Sequence, residues 1–362
     1  MTAAGADRAE WAGAGHDIDD GATPGPEALI LGGTPIAREI RERVRRGVAA
    51  YRRRYGRRPV LAVLHLSRSS SFQVYARQIV RACERVGIEV RQVEVRQVEV
   101  RQVPAPDGSG APRAAPSPAA PAASAAPGPA APAASADPGP AARSAPGRGR
   151  LSAGAVRDRL RELSSDPAVD GIIVQQPLPH GIPASVVFEG LEPSKDVDGI
   201  TPVNAGRLAA GQPAFAPATA QAVVEILDRF AIPLEGMHAV VVGRSLTVGR
   251  PVAQLLLRRN CTVTICHSRT RDLDHYTREA DVLVVAAGRP GLIGAGMLRP
   301  GAIVVDVGTT VVDGRIVGDV DAGSARTAAG AITPVPGGIG PVTNAVLLEH
   351  VLLAARAAAG RR

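Results

Sequence analysis

Apolar positions recur along this chain with two distinct periods. At 36–55 they return every three or four residues among many arginines, which predicts an amphipathic helix. An unbroken apolar run at 60–66 predicts a buried strand, and the pattern at 73–86 a second helix. Residues 89–103 contain the tandem repeat RQVEVRQVEVRQV, in which valine alternates with polar residues. That period of two predicts an extended strand or ribbon, lengthened by a short duplication. A helix at 155–164 and an apolar strand at 171–175 come next. The second half is more regular. Helices at 220–230 and 248–259 alternate with apolar strands at 238–242, 262–266, 281–286 and 302–307, and an apolar helix at 344–359 closes the chain. Strands alternating with helices predict an α/β fold whose parallel sheet is covered on both faces.

Two stretches interrupt the pattern. Residues 1–28 are small, polar and mildly acidic, and are expected to form a disordered leader. Residues 104–150 are almost wholly Pro, Ala, Gly and Ser, with too little apolar bulk to offset the entropy of ordering. They are expected to loop out of the fold as an insertion. The expected organisation is therefore a first domain at 29–200 containing that insertion, a second at 201–343, and a terminal helix at 344–362 that packs back on the first.

Composition narrows the classes. At 362 residues and 45% hydrophobic content the chain can bury one large core or two ordinary ones. No uncharged apolar run is long enough to span a bilayer, and no basic segment leads into an apolar one at the N-terminus. The expectation is a cytoplasmic protein with no membrane partner. Cys83, Cys261 and Cys266 fit neither a disulfide framework nor a zinc site, so they are expected in the core and no metal is expected. The net charge of +8 is spread over helix faces, with only 2% aromatic residues, and no nucleic-acid partner is expected. Lys195 is the only lysine; arginine otherwise replaces it throughout.

The segment HAVVVGRSLTVGRP at 238–251 reads as a buried strand, a glycine turn and a helix start. Such a turn presents backbone N–H groups and a helix N-terminus to a pyrophosphate, as in a Rossmann-type domain. The spacing of Gly243 and Gly249 is not the standard G-x-G-x-x-G. The next strand ends at Cys266-His267-Ser268-Arg269, where an NAD-preferring fold places an acid for the ribose hydroxyl. Hydroxyl and cationic groups there, with Arg250 at the helix start, suit a 2′-phosphate and hence NADP.

Several strings together resemble the bifunctional methylenetetrahydrofolate dehydrogenase/cyclohydrolase family. They are DGIIVQQPLP at 170–179, KDVDG at 195–199 with NAGRL at 204–208, GRS at 243–245 with VGRP at 248–251, DVG at 306–308, and ITPVPGGIGP at 332–341. The match runs from about 30 to 355 and breaks only at the insertion. The resemblance implies an N-terminal α/β folate domain facing a C-terminal Rossmann-type NADP domain across a cleft. It also implies a homodimer, tetrahydrofolate derivatives as ligands, and two reactions: oxidation of 5,10-methylenetetrahydrofolate to the methenyl cation, then hydrolysis to 10-formyltetrahydrofolate.

The resemblance assigns residues. Asp198 matches the carboxylate that grips the pterin, Tyr75 the ring that packs on the folate, and Pro336, Gly337 and Gly340 the loop that closes over it. Gly243, Arg244, Ser245, Arg250, Ser268 and Thr309 match cofactor contacts. In the cyclohydrolase step a lysine one turn after the tyrosine, hydrogen-bonded to a glutamine, assists the addition of water. The glutamine is Gln175, but the lysine position is Ile79, which can neither donate a hydrogen bond nor move a proton. The loop before this helix also departs: Ser67 and Ser70 stand for the family's glycine and proline, and Phe72 for a small polar residue. The family's PCTP is here PATA at 217–220. The expectation is an NADP-dependent dehydrogenase with weak or absent cyclohydrolase activity. Two alternatives stay open: hydrolysis assisted by Lys195, and a non-catalytic NADP- or folate-binding paralogue with a regulatory or assembly role.

Overall fold

A computed structural model describes residues 27–66, 70–95, 151–176 and 178–361, without the side chains of 70–75. The expected leader up to residue 26, the repeat beyond 95 and the expected insertion at 104–150 lie outside the described residues, as do Ser67, Pro177 and the side chains of Ser70, Phe72 and Tyr75. The first elements are β1 (Leu29–Ile30), α1 (Gly33–Tyr55), β2 (Val60–His65), α2 (Ser70–Val86) and β3 (Glu89–Glu94). Then come α3 (Ala153–Ser165), β4 (Gly171–Val174), α4 (Ala184–Gly190) and α5 (Pro202–Ala209). The remainder comprises α6 (Ala218–Arg229), β5 (His238–Val242), α7 (Gly249–Leu257), β6 (Thr262–Cys266), α8 (Leu273–Arg278), β7 (Val282–Val285), β8 (Ile303–Asp306), β9 (Thr310–Val312), β10 (Arg315–Val317), α9 (Ala322–Ala325), β11 (Ala331–Ile332) and α10 (Ile339–Gly360).

Two parallel sheets result. The smaller has the order β3-β2-β4 and the larger β1-β11-β8-β7-β5-β6. Alternate residues of the central strands feed different cores, as the pleat requires. Leu61, Val63 and Ile173 join Val241, Val284 and Val305 in one central core with α1, α2, α6 and α10. Ala62, Leu64, Ile172 and Val174 face α3 and α4 instead, and Val240, Val242, Leu283 and Val285 face the far side of the large sheet. The two domains thus share a core built mainly from α1 and α10. The latter is long and apolar enough to cross a membrane by length and composition, but its inward face, Val342 to Ala355, is buried in that core.

Some details depart from the sequence expectations. Ala28 is buried at the end of the expected leader, and β1 pairs with β11 in the large sheet rather than belonging to the first domain. The closing helix begins five residues earlier than its apolar pattern suggests, at Ile339. Among the described residues, the segment carrying the valine repeat pairs with β2 from Glu89 to Glu94. The two-residue strands, the β9–β10 hairpin and the helices α4, α5, α8 and α9 are too short to show a period. The hairpin leaves Val311, Val312 and Ile316 exposed. Among the described residues all three cysteines are buried, and burial pushes the Cys83 thiol up to about 12.

One ion pair aligns the small sheet. The buried Asp170 carboxylate accepts both Arg57 Nη atoms at 2.8 and 2.6 Å and the Val60 N–H at 2.8 Å, pinning the starts of β2 and β4 together. Removing the arginine leaves a buried carboxylate with one donor. Arg57→Gln is expected to lower unfolding free energy by about 3 kcal/mol, read from denaturant melts; an unchanged midpoint would show that the pair does not hold the sheet.

Candidate active site

The larger sheet reverses its winding at β5. From β5 the chain steps outward to β6, then returns to the opposite side of β5 for β7 and β8. A ligand crevice forms at such a switch point, beyond the carboxyl ends of the strands. Gly243 follows β5 directly, with φ +136°, and a Cβ there would strike the carbonyl oxygen of Ala286, just after β7. A Cβ at Gly249 would strike the Gly243 carbonyl. These two glycines let strand, turn and helix approach as closely as they do, leaving room for a ligand's phosphates against the backbone.

Ser245 Oγ accepts from Val248 N–H at 3.1 Å, shaping the entry to α7. Gly243 N–H donates to the Cys266 carbonyl at 2.8 Å, so the first turn and the end of β6 are fastened side by side. Arg244, Ser245 and Arg250 therefore share one exposed rim with Ser268 and Arg269. The Arg250 Nε donates to the Arg244 carbonyl, and among the described residues neither Arg244, Arg250 nor Arg269 has a carboxylate partner.

Across the crevice, two buried carboxylates hold the loops. Asp306 accepts from Gly308, Asp319 and Val320 N–H at 2.9 to 3.0 Å. Burial pushes its carboxyl up against the pull of those donors, and Asp319 adds to the rise. Asp319 Oδ2 in turn accepts from Ala287 and Gly288 N–H at 2.7 and 2.8 Å, while its Oδ1 is buried without a donor among the described residues. The role of Asp319 was not read from the sequence, where its only signal is an acid between the apolar positions Val317 and Val320. Thr309 is exposed on the wall these carboxylates shape. A cavity of about 450 Å³ lies here between the domains. Its lining includes Asp306, Thr309, the loop carrying Pro336, Gly337 and Gly340, Asn344 of α10, and Gln78 of α2.

The smaller sheet brings its motifs to its own carboxyl end. Ile172 of β4 pairs in parallel with Asp196, so DGIIVQ and KDVDG run side by side. Each residue of the second motif has a separate task. Lys195 Nζ donates to the Asp166 and Leu163 carbonyls at 2.7 and 3.3 Å, neutralising the C-terminal end of α3. The only lysine thus directs two of its contacts at α3. Asp196 is fully buried and accepts from Thr201 N–H and Oγ1, Asn204 Nδ2 and Ile200 N–H. His350 Nδ1–H donates to the Val197 carbonyl at 2.8 Å, tying the segment to α10. Gly199 has φ +67°, and its missing Cβ leaves space for the backbone of Phe215 and Ala216. Asp198 alone is left without a donor among the described residues. The residue is half-buried but its carboxyl is recessed; desolvation, then the negative charge of Asp196, pushes it up to about 7.

Gln175 closes β4, buried, and its Oε1 accepts from Leu66 N–H at 2.8 Å, linking it to the loop before α2. Tyr75 lies in α2, its side chain outside the described residues. One turn on, Ile79 is 2% exposed and belongs to the central core with Leu61, Val63 and Ile173. No charge or donor is offered at that position. The structure therefore gathers Gln175 and Asp198 at the end of one sheet, the Gly243 and Ser268 turns at the end of the other, and the Pro336–Gly340 loop with Thr309 around the cavity between.

The raised Asp198 carboxyl has a consequence for stability. Its folded value, about 7, lies above the ordinary carboxylate range, so the folded state holds the proton better than the unfolded chain. Its contribution to stability is greatest below pH 4 and is lost as pH rises through about 7. Asp198→Asn is expected to raise Tm by about 3 °C at pH 8 and by nothing measurable at pH 4. A shift that is the same at both pH values would contradict this charge assignment.

Comparison with known proteins accords with this arrangement. Residues 31–103 and 147–198 match the tetrahydrofolate dehydrogenase/cyclohydrolase catalytic domain, and residues 217–359 match the NAD(P)-binding domain of the same family. A bifunctional protein FolD of Bordetella petrii is 40% identical over 343 residues, covering 94% of this chain and 99% of the relative. One from Parafrankia is 56% identical over 193 residues, covering 53% of this chain and 70% of its own length. Among solved structures, the FolD dehydrogenase/cyclohydrolase of Campylobacter jejuni superposes with a TM-score of 0.75 at 32% identity, covering 91% of this chain and 99% of that one. The Trypanosoma brucei enzyme, solved with NADP cofactor and inhibitor, gives a TM-score of 0.74 at 31% identity, covering 92% and 99%. The crevice at the β5 switch point and the cleft facing it thus have their counterpart in a known group of two-domain enzymes, and the chain belongs to the tetrahydrofolate dehydrogenase/cyclohydrolase family.

Proposed function

We propose that this chain oxidises 5,10-methylenetetrahydrofolate to the 5,10-methenyl cation with NADP, and that its hydrolysis of that cation to 10-formyltetrahydrofolate is weak or absent. The observation that carries the reading is Ile79, buried at the family's lysine position, while Gln175 is retained.

The cofactor half supports NADP. The cradle at Gly243 and Gly249 admits backbone to a pyrophosphate, and Arg244, Arg250, Ser268 and Arg269 supply cations and a hydroxyl for a 2′-phosphate. The T. brucei relative bound to NADP supports the same choice. When bound, NADP supplies the hydride acceptor. The chain's own contribution is alignment. Asp198, short of donors, suits the amino and ring N–H groups of a pterin, which a carboxylate accepts in pairs. Pairing there offsets the desolvation and the nearby charge of Asp196 by giving the carboxylate donors. The Pro336–Gly340 loop closes the cavity over the ligand, and Tyr75 takes the stacking role that the resemblance implies.

Hydrolysis asks for more. Water must add to the methenyl carbon and lose a proton, and a positioned base or relay contributes about 10²–10⁴-fold. Ile79 offers none, and Lys195 donates to the Leu163 and Asp166 carbonyls at the end of α3. The dehydrogenase step needs no such group. Ile79→Lys is expected to raise the rate of methenyl hydrolysis by about 100-fold, measured from decay of the methenyl chromophore on isolated 5,10-methenyltetrahydrofolate. A variant that folds, oxidises the methylene substrate and leaves hydrolysis unchanged would refute the assignment.

A further inference from the structure

The segment around Asp198 is braced on both sides, and one side chain takes part in each brace. His350 lies on α10, 6% exposed, and its Nδ1–H donates to the Val197 carbonyl at 2.8 Å. Among the described residues no backbone N–H bonds to that carbonyl. On the other side, a Cβ at Gly199 would stand 2.5 Å from the Phe215 carbonyl oxygen and 2.7 Å from Pro217 N, so the backbone of 215–217 lies directly against Gly199. The His350 ring packs on the Phe215 ring, with centroids 5.2 Å apart and planes at 50°. One imidazole therefore holds the residue before Asp198 by a hydrogen bond and, through Phe215, the segment that covers the residue after it.

A carbonyl only accepts, so Nδ1 carries the proton. Burial holds the ring below its ordinary value, against the pull of the Val197 carbonyl, Glu349 and Asp196, and it is neutral at pH 7. The nearby Asp196 carboxylate already has Thr201, Asn204 and Ile200 as donors and leaves the imidazole to Val197. Its place on α10 gives the brace a fixed reference. Gly340 in the first turn and Asn344 after it both line the cleft cavity, and His350 follows Asn344 by about 9 Å along the axis. One rigid helix thus carries part of the cavity wall and the hold on the Val197–Asp198 peptide. A carboxylate accepts a pair of N–H donors only when both oxygens face them, and rotation of that peptide would turn them away.

We propose that His350 is a positioning residue for substrate recognition: its hydrogen bond to Val197 fixes the peptide plane ahead of Asp198 and so aims that carboxylate at the paired N–H donors of the pterin. The inference rests on the folate reading of the cleft. His350 acts through Asp198, and the cofactor crevice lies at the end of the other sheet, so the effect is confined to one of the two ligands.

The test compares His350→Leu with His350→Asn, side chains of nearly the same shape of which only the amide can donate to Val197. Steady-state rates with 5,10-methylenetetrahydrofolate and NADP are read beside fluorescence titration with tetrahydrofolate, which gives affinity without turnover. His350→Leu is expected to raise KM and Kd for the folate about tenfold while kcat and the KM for NADP stay within about twofold, and His350→Asn to bring the folate values back to within about twofold of the unaltered chain. His350→Phe keeps a ring against Phe215 without the donor and should match His350→Leu; it carries the comparison if the leucine variant does not fold. Equal folate constants with and without the donor, or a parallel rise in both KM values, would overturn the positioning role and leave the dehydrogenase reading standing. An unaltered chain that neither binds nor turns over the folate would overturn that reading and the proposal with it.

Discussion

The close packing of α1 against α10 is the constraint on which the rest of the structure depends. Gly33 opens α1, and a Cβ there would collide with the carbonyl of Gly338, while its N–H donates to the Gly337 carbonyl at 2.9 Å. Farther along, Gly47 leaves room for Leu352 and Arg356. The two helices approach this closely because glycine stands where a side chain would hold them apart. Their apolar faces then bury the inner sides of both sheets in one core. With that core fixed, the strand ends of the two sheets meet over a cleft, and the Pro336–Gly340 loop is anchored by the first turn of α1. Two domains that shared less apolar surface would be expected to move against one another.

Charge is divided with economy at this junction. Within five consecutive residues the chain places a cation on a helix end, a fully bonded carboxylate, a carbonyl held by His350 and a carboxylate without donors among the described residues. Asp196 and Asp198 have the same chemistry and opposite circumstances. One is a structural anchor, satisfied four times over, and the other keeps its capacity for a ligand. On the cofactor side Asp306 and Asp319 do for the loops what Asp196 does for the folate side, leaving backbone N–H groups and glycine surfaces facing the crevice.

Much of this was legible in the sequence for physical reasons. Unbroken apolar runs marked β2, β4, β5, β7 and β8, since buried parallel strands need apolar side chains on both faces. The Gly243–Gly249 turn was readable because only glycine allows its approaches. What escaped was either short or non-local. Strands of two or three residues carry no period, and β1 finds its partner some three hundred residues away. The orientation of Lys195 toward α3 and the bonds of Asp319 depend on which segments meet. Ile79 was different: its register within α2 placed it, and its burial explains why an isoleucine is tolerated there.

The proposed function separates oxidation from hydrolysis in this chain. The direct measurement is a time course with purified protein, 5,10-methylenetetrahydrofolate and NADP, following NADPH and the methenyl chromophore together. The account predicts that both rise in step and that the methenyl product decays only at the rate seen in buffer alone. NADPH rising while the methenyl product is consumed faster than in buffer would contradict it, as would the absence of NADPH.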